Sequence, residues 1–132
     1  MHEQIEKLNS MLIQLLSGNI YSFDDVKKMK DVMGVYIIYS QDGGILYIGS
    51  TNKFHIRFGI DLKHESTHTL VRKLIKGGIH QNRLEAVNHF LNHYKYRIHQ
   101  CESKREAEAL EHIAIWILNP KHNNYYLSPI LH

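Results

Sequence analysis

The 132-residue chain predicts a small α/β (α+β) domain, three strands flanked by helices. Three observations carry that prediction. A hairpin pattern runs from Gly34 to Gly49, with β-branched and aromatic residues on both sides of Asp42-Gly43-Gly44. A second alternating stretch, Tyr94 to Gln100, supplies the third strand. Helical periodicity with start and stop residues fills most of the remainder.

In chain order, Glu3 to Leu16 is amphipathic, with Ile5, Leu8, Leu12, Leu15 and Leu16 on one stripe, and Gly18-Asn19 ends it. That stripe is expected to pack on the domain; a dimer seam is the alternative. Ser22 caps a short second helix reaching Met29. The two hairpin strands follow, then a helix from about Asn52 to His64 and another from Thr67 to Lys76, stopped by Gly77-Gly78. A further helix spans roughly Asn82 to His93, leading into the third strand. Ser103 followed by Glu106 forms a capping box for a final long helix, which Asn119-Pro120 ends. No repeat, low-complexity segment or linker interrupts this order.

Hydrophobic residues make up 43% and charged residues 22%, the balance of one soluble globular core. The longest apolar runs, such as Ile113 to Leu118, are far too short to span a bilayer, so no membrane role is expected. Met1-His2-Glu3-Gln4 begins no secretory signal, and the single Cys101 precludes an internal disulfide framework. A reducing cytoplasm is the expected location. Charge is unevenly spread. Residues 1–50 hold four lysines against six acidic residues; residues 51–80 hold six basic residues (Lys53, Arg57, Lys63, Arg72, Lys73, Lys76) against Asp61 and Glu65. A basic stretch directly after the hairpin suits a phosphate backbone. Read by itself, it is also what a solvated helix surface looks like.

Gly34-Val35-Tyr36 and Tyr47-Ile48-Gly49 stand ten residues apart, and Arg57 follows eight residues after Gly49. Alone, paired hairpin tyrosines are half-buried packing residues. In this order, with Glu111 on the last helix and Asn123 twelve residues beyond it, the set resembles the GIY-YIG nucleases from Met33 to Tyr125. The resemblance implies a small three-stranded antiparallel sheet flanked by helices: a nuclease core over 33–125, and a helical extension over 1–31 within a single domain. It also implies a metal-dependent endonuclease hydrolysing phosphodiester bonds in DNA, nucleoid-associated if bacterial. In that scheme Tyr36 is the general base with Tyr47 beside it, and Arg57 is the phosphate clamp. Glu111 holds one Mg²⁺ or Mn²⁺, while Gly34, Gly49 and Asn123 support the site.

The chemistry suits these residue types. In-line attack on phosphorus needs an activated water, and positive charge for the developing phosphorane. A hard carboxylate oxygen with water at the other positions fits Mg²⁺ or Mn²⁺. A guanidinium fork matches two phosphate oxygens. A free tyrosine titrates near about 10, so a tyrosine base needs help from cationic neighbours. Sequence does not choose between the two tyrosines. Leu110, Ile113, Ala114 and Ile117 bracket Glu111, whereas Glu108 has less apolar company. A carboxylate edging toward a core needs a partner, which favours Glu111 as the metal ligand.

Two departures from the family pattern stand out. Asp61 occupies the position four residues after the arginine, where many members carry histidine or tyrosine; His64 or His68 can serve instead from the next turn. Ser50 follows Gly49 where some members carry lysine. Lys53, Lys63, His68, Arg72 and Lys73 are the candidate nucleic-acid contacts, with His80 to Tyr94 a possible addition. His89 and His93 have the i, i+4 spacing of a zinc pair, and exposed histidines are the simpler reading. Two rivals to the endonuclease follow: a non-catalytic nucleic-acid-binding module of the same fold, and a zinc nuclease built on His89 and His93. With no recognition module in the sequence, the reading calls for a targeting partner protein, a homodimer, or selection by DNA structure. Whether that DNA is single- or double-stranded is open.

Overall fold

A computed structural model describes residues 1–52 and 69–120, with only the backbone at 69–71 and 73. The elements are α1 (His2–Ser17), α2 (Phe23–Lys27), β1 (Gly34–Tyr39), β2 (Ile45–Thr51), α3 (Thr69–Lys76), α4 (Arg83–Asn92), β3 (Lys95–Gln100) and α5 (Lys104–Leu118). The expected helix over 52–64, apart from Asn52, lies outside the described residues.

The strands form one antiparallel sheet in the order β2-β1-β3. β1 is central, and burial of five consecutive residues, Gly34 to Ile38, follows from cover on both faces. The connecting turn uses Gly43 at φ 92°, a left-handed conformation that glycine adopts without steric cost. Asp42 accepts the Gly44 N–H at 3.0 Å, closing the loop.

Two cores lie on opposite faces. One joins Val35, Ile37 and Ile48 to α1 and α5, through Met11, Leu12, Leu15, Ala107, Leu110 and Ala114. The other joins Tyr36, Ile38 and Tyr96 to α2, α3 and α4, through Phe23, Val26, Leu74, Ala86 and Phe90. Alternation along the strands assigns odd and even positions to different sides, so the hairpin sequence itself dictates this division.

The N-terminal stripe packs on the domain: α1 lies against α5 and β3. Ile5 is the exception, 58% exposed, while Met11, absent from the expected stripe, is buried. Gln4, Lys7 and Leu8 border α5 in these first turns, so the exposure of Ile5 is not a matter of length. At α2, Ser22 and Asp25 form a complete capping box. At α5 only half of one is present. Ser103 accepts the Glu106 N–H at 3.1 Å, but the Glu106 carboxylate turns back to Glu102 N rather than to the cap itself. Glu106 also takes an ion pair from Lys7 of α1 at 2.5 Å, which draws the carboxylate aside. Asn119 closes α5 in the left-handed conformation, φ 47°. Among the described residues no helix is long and apolar enough to cross a membrane.

Candidate active site

Gly49 lies opposite Tyr36 in the β1–β2 register. A Cβ at Gly49 would stand 2.5 Å from Tyr36 Oη, 2.7 Å from its Cζ and 2.9 Å from Tyr47 Cε2. Side-chain carbons do not approach that closely, so position 49 admits only hydrogen. The glycine is needed for space rather than for backbone freedom, and two phenol rings fill the space, centroids 6.2 Å apart and tilted by 36°. Gly34 opens β1 between Thr51 of β2 and Gln100 of β3. The structure therefore brings both glycine–tyrosine triplets into one cross-strand unit.

The two tyrosines are not equivalent. Tyr36 is 1% exposed and belongs to the core, whereas Tyr47 is partly exposed at its margin. Burial of Tyr36 weighs against the expectation that its hydroxyl meets a solvent water.

Glu111 reaches the same strand from the other side. It sits on α5 one turn after buried Ala107 and beside buried Leu110, the stripe that packs on Val35, Ile37 and Ile48. There the Ser50 hydroxyl donates a hydrogen bond to Glu111 Oε1. β2 is an edge strand, so groups on both faces of the sheet converge near its end: Tyr47 and Gly49 on one, Ser50 and Glu111 on the other. Glu108, the competing carboxylate, pairs with Lys104 at 3.8 Å. Glu111 makes no ion pair among the described residues, and its Oε2 accepts no hydrogen bond there. An accessible carboxylate oxygen with one partner only is a fitting donor for a hydrated divalent cation. Among the described residues no three His, Cys, Asp or Glu side chains converge to make a protein cage. A cation held by one carboxylate, water and substrate phosphate needs none.

Lys53, Arg57, Lys63, His64, His68 and Asn123 lie outside the described residues. Arg72 is exposed on α3; Lys73 shares that helix. Ser50 is the functional residue that sequence reasoning passed over. In the sequence it stands where some family members carry lysine, but its position next to Gly49 turns it to the opposite face from the tyrosines, toward α5.

His89 and His93 are not the exposed pair expected. Both are half-buried, because α4 ends against Tyr94 and the loop carrying His80. Three imidazoles lie ring against ring, His80–His89 at 4.5 Å and His89–His93 at 4.8 Å. His80 is buried, its Nε2 2.8 Å from Tyr94 Oη and its Nδ1 3.4 Å from Glu85. Burial, then the adjacent His80 and His93, push the His89 pKa down; its Nδ1 is buried without a hydrogen-bond partner among the described residues. Burial pushes the Tyr94 hydroxyl up to about 12. This cluster packs the end of α4, and among the described residues no third His, Cys, Asp or Glu side chain joins His89 and His93 in a group that could hold a metal ion.

Comparison with known proteins bears on the same elements. The sequence profile of the GIY-YIG catalytic domain matches residues 32–126. No curated protein matches. Among solved structures, the chain is similar to the GIY-YIG N-terminal endonuclease domain of UvrC from Thermotoga maritima. One point mutant of it aligns at 19% identity and a second at 20%, both with a TM-score of 0.52; each alignment covers 76% of this chain and 91% of that domain. A third mutant aligns at 19% identity with the same TM-score, over 75% of this chain and 90% of the other. Each of the three was solved bound to its catalytic divalent cation.

Proposed function

The chain belongs to the GIY-YIG family and carries its endonuclease domain, and from that premise we propose a metal-dependent phosphodiesterase acting on DNA. The observation that carries the reading is the slot at Gly49, which only hydrogen fits and which sets buried Tyr36 beside partly exposed Tyr47. A cross-strand pair chosen only for packing does not require a residue without a side chain there.

Tyr47 takes the proton from the attacking water in this reading, because its ring reaches solvent; Tyr36, packed beneath Gly49, orients it. Glu111 holds the cation through its open oxygen, either Mg²⁺ or Mn²⁺ by the hardness of that donor. When bound, the cation supplies positive charge against the developing phosphorane and the leaving oxygen. Arg57 clamps the non-bridging oxygens and favours ionised phenol nearby, with His64 assisting. Arg72, exposed on α3, extends the phosphate path together with Lys53, Lys63, His68 and Lys73.

The test is cleavage of supercoiled plasmid and of a labelled single-stranded oligonucleotide with Mg²⁺ or Mn²⁺. Wild type is expected to cut, and folded Glu111→Ala and Arg57→Ala variants to lose about 10²-fold or more in rate. Binding without cutting under every metal overturns the enzyme in favour of a binding module. Cutting that survives Glu111→Ala overturns the metal assignment.

A further inference from the structure

The Ser50–Glu111 hydrogen bond points to a role that packing alone does not require, and we propose that Ser50 is a positioning residue that aims the Glu111 carboxylate at the cation. The proposal rests on Glu111 holding that cation.

The terminal torsion of a glutamate is broad, so a carboxylate on a helix surface samples many orientations of its two oxygens. A hydroxyl has one proton to give. By donating it to Oε1, Ser50 fixes which oxygen stays behind and leaves Oε2 for the cation. The tie is built by long-range structure: the two residues are 61 positions apart, on different elements. Ser50 stands opposite Val35 in the register, and small Ala107 on α5 lets helix and strand approach. The hydroxyl borders a groove of about 290 Å³ that Thr51, Asn52, Lys104 and Glu108 also line. The carboxylate lining that groove is Glu108, which pairs with Lys104, whereas Glu111 is the one tied to Ser50. Ser50 thus selects the carboxylate on which the cation sits and leaves its neighbour to the ion pair.

A hydrogen bond that preorients a metal ligand typically contributes about 10- to 100-fold in metal affinity. Direct Mn²⁺ binding, by the loss of the free-ion electron paramagnetic resonance signal, separates this role from a structural one. Ser50→Ala is expected to weaken Mn²⁺ binding about tenfold or more with its thermal midpoint within a few degrees of wild type. Ser50→Thr, which keeps the hydroxyl, is expected to restore affinity. Wild-type affinity in Ser50→Ala overturns the proposal, as does a Ser50→Ala variant that loses stability with its affinity intact. Glu111→Ala separates the two levels of argument. If it binds Mn²⁺ like wild type, the metal assignment falls and the proposal with it; if it loses binding while Ser50→Ala does not, only the proposal falls.

Discussion

The two faces of the sheet are built from different materials. The face under α1 and α5 is aliphatic, held by Leu15, Val35, Ile37, Ile48 and Leu110. The face under α2, α3 and α4 is aromatic, and its buried phenols find polar partners: Tyr96 Oη donates to the Phe90 carbonyl at 2.9 Å, and Tyr94 Oη meets His80. Aliphatic side chains tolerate repacking because only volume has to be kept. Buried phenols do not, since each displaced hydroxyl leaves a polar atom without its partner. The contrast assigns stability mainly to one face and precision to the other. Catalytic geometry depends on both, because β2 carries a residue of the site toward each.

Substitutions on each side test that division. Leu15→Ala empties a fully buried site on the aliphatic face and is expected to cost about 2–5 kcal/mol in urea unfolding. Cleavage per folded molecule should fall much less than it does in Glu111→Ala; a loss as large would erase the distinction. Gly49→Ala overpacks the aromatic face and is expected to cost about 1–3 kcal/mol. Its cleavage should nonetheless be lost, because the methyl displaces both phenol rings. Full activity in that variant would show that the tyrosines do not act.

The smallest effect is acid sensitivity. His89 on the aromatic side and His99 of β3 both have pKa values pushed down from 6.5, chiefly by burial. The folded state then binds fewer protons than the unfolded one below about pH 6.5, so stability is unaffected above that value and declines as pH falls through it. The carboxylates of Asp25, Glu85 and Glu106 are pushed down from 3.8 or 4.5 by hydrogen bonds and, for Glu106, first by Lys7. Their stabilisation is lost only at lower pH. Calorimetry between about pH 7 and pH 5 should therefore record a Tm decrease of a few degrees. His89→Gln and His99→Gln should each flatten it.

Local signals explain what was legible beforehand. The hairpin, the third strand and α5 were readable because alternation, a glycine turn and a serine cap act within a few residues. The family signature placed Tyr36, Tyr47, Gly49 and Glu111 in one region. Interactions between distant segments were not readable. Ser50 meeting Glu111, Lys7 drawing Glu106 from its cap, and three imidazoles gathering at the end of α4 all depend on how elements dock. Ile5 shows the same limit in reverse, since its periodicity is right and it nonetheless stays exposed.

The segment matched by the family profile and the segment that folds have different boundaries. The match begins at residue 32, yet Met11, Leu12, Leu15, Phe23 and Val26 before it are part of both cores. Tyr21 pairs with Tyr96 along the outer side of β3, and Arg97 clasps the carbonyl of Gly18 and the hydroxyl of Tyr39. Excision at the recognisable border would strip apolar cover from both sides of the sheet at once. For any fusion or transplant of this nuclease, the portable unit includes α1 and α2, and its useful junctions lie outside them.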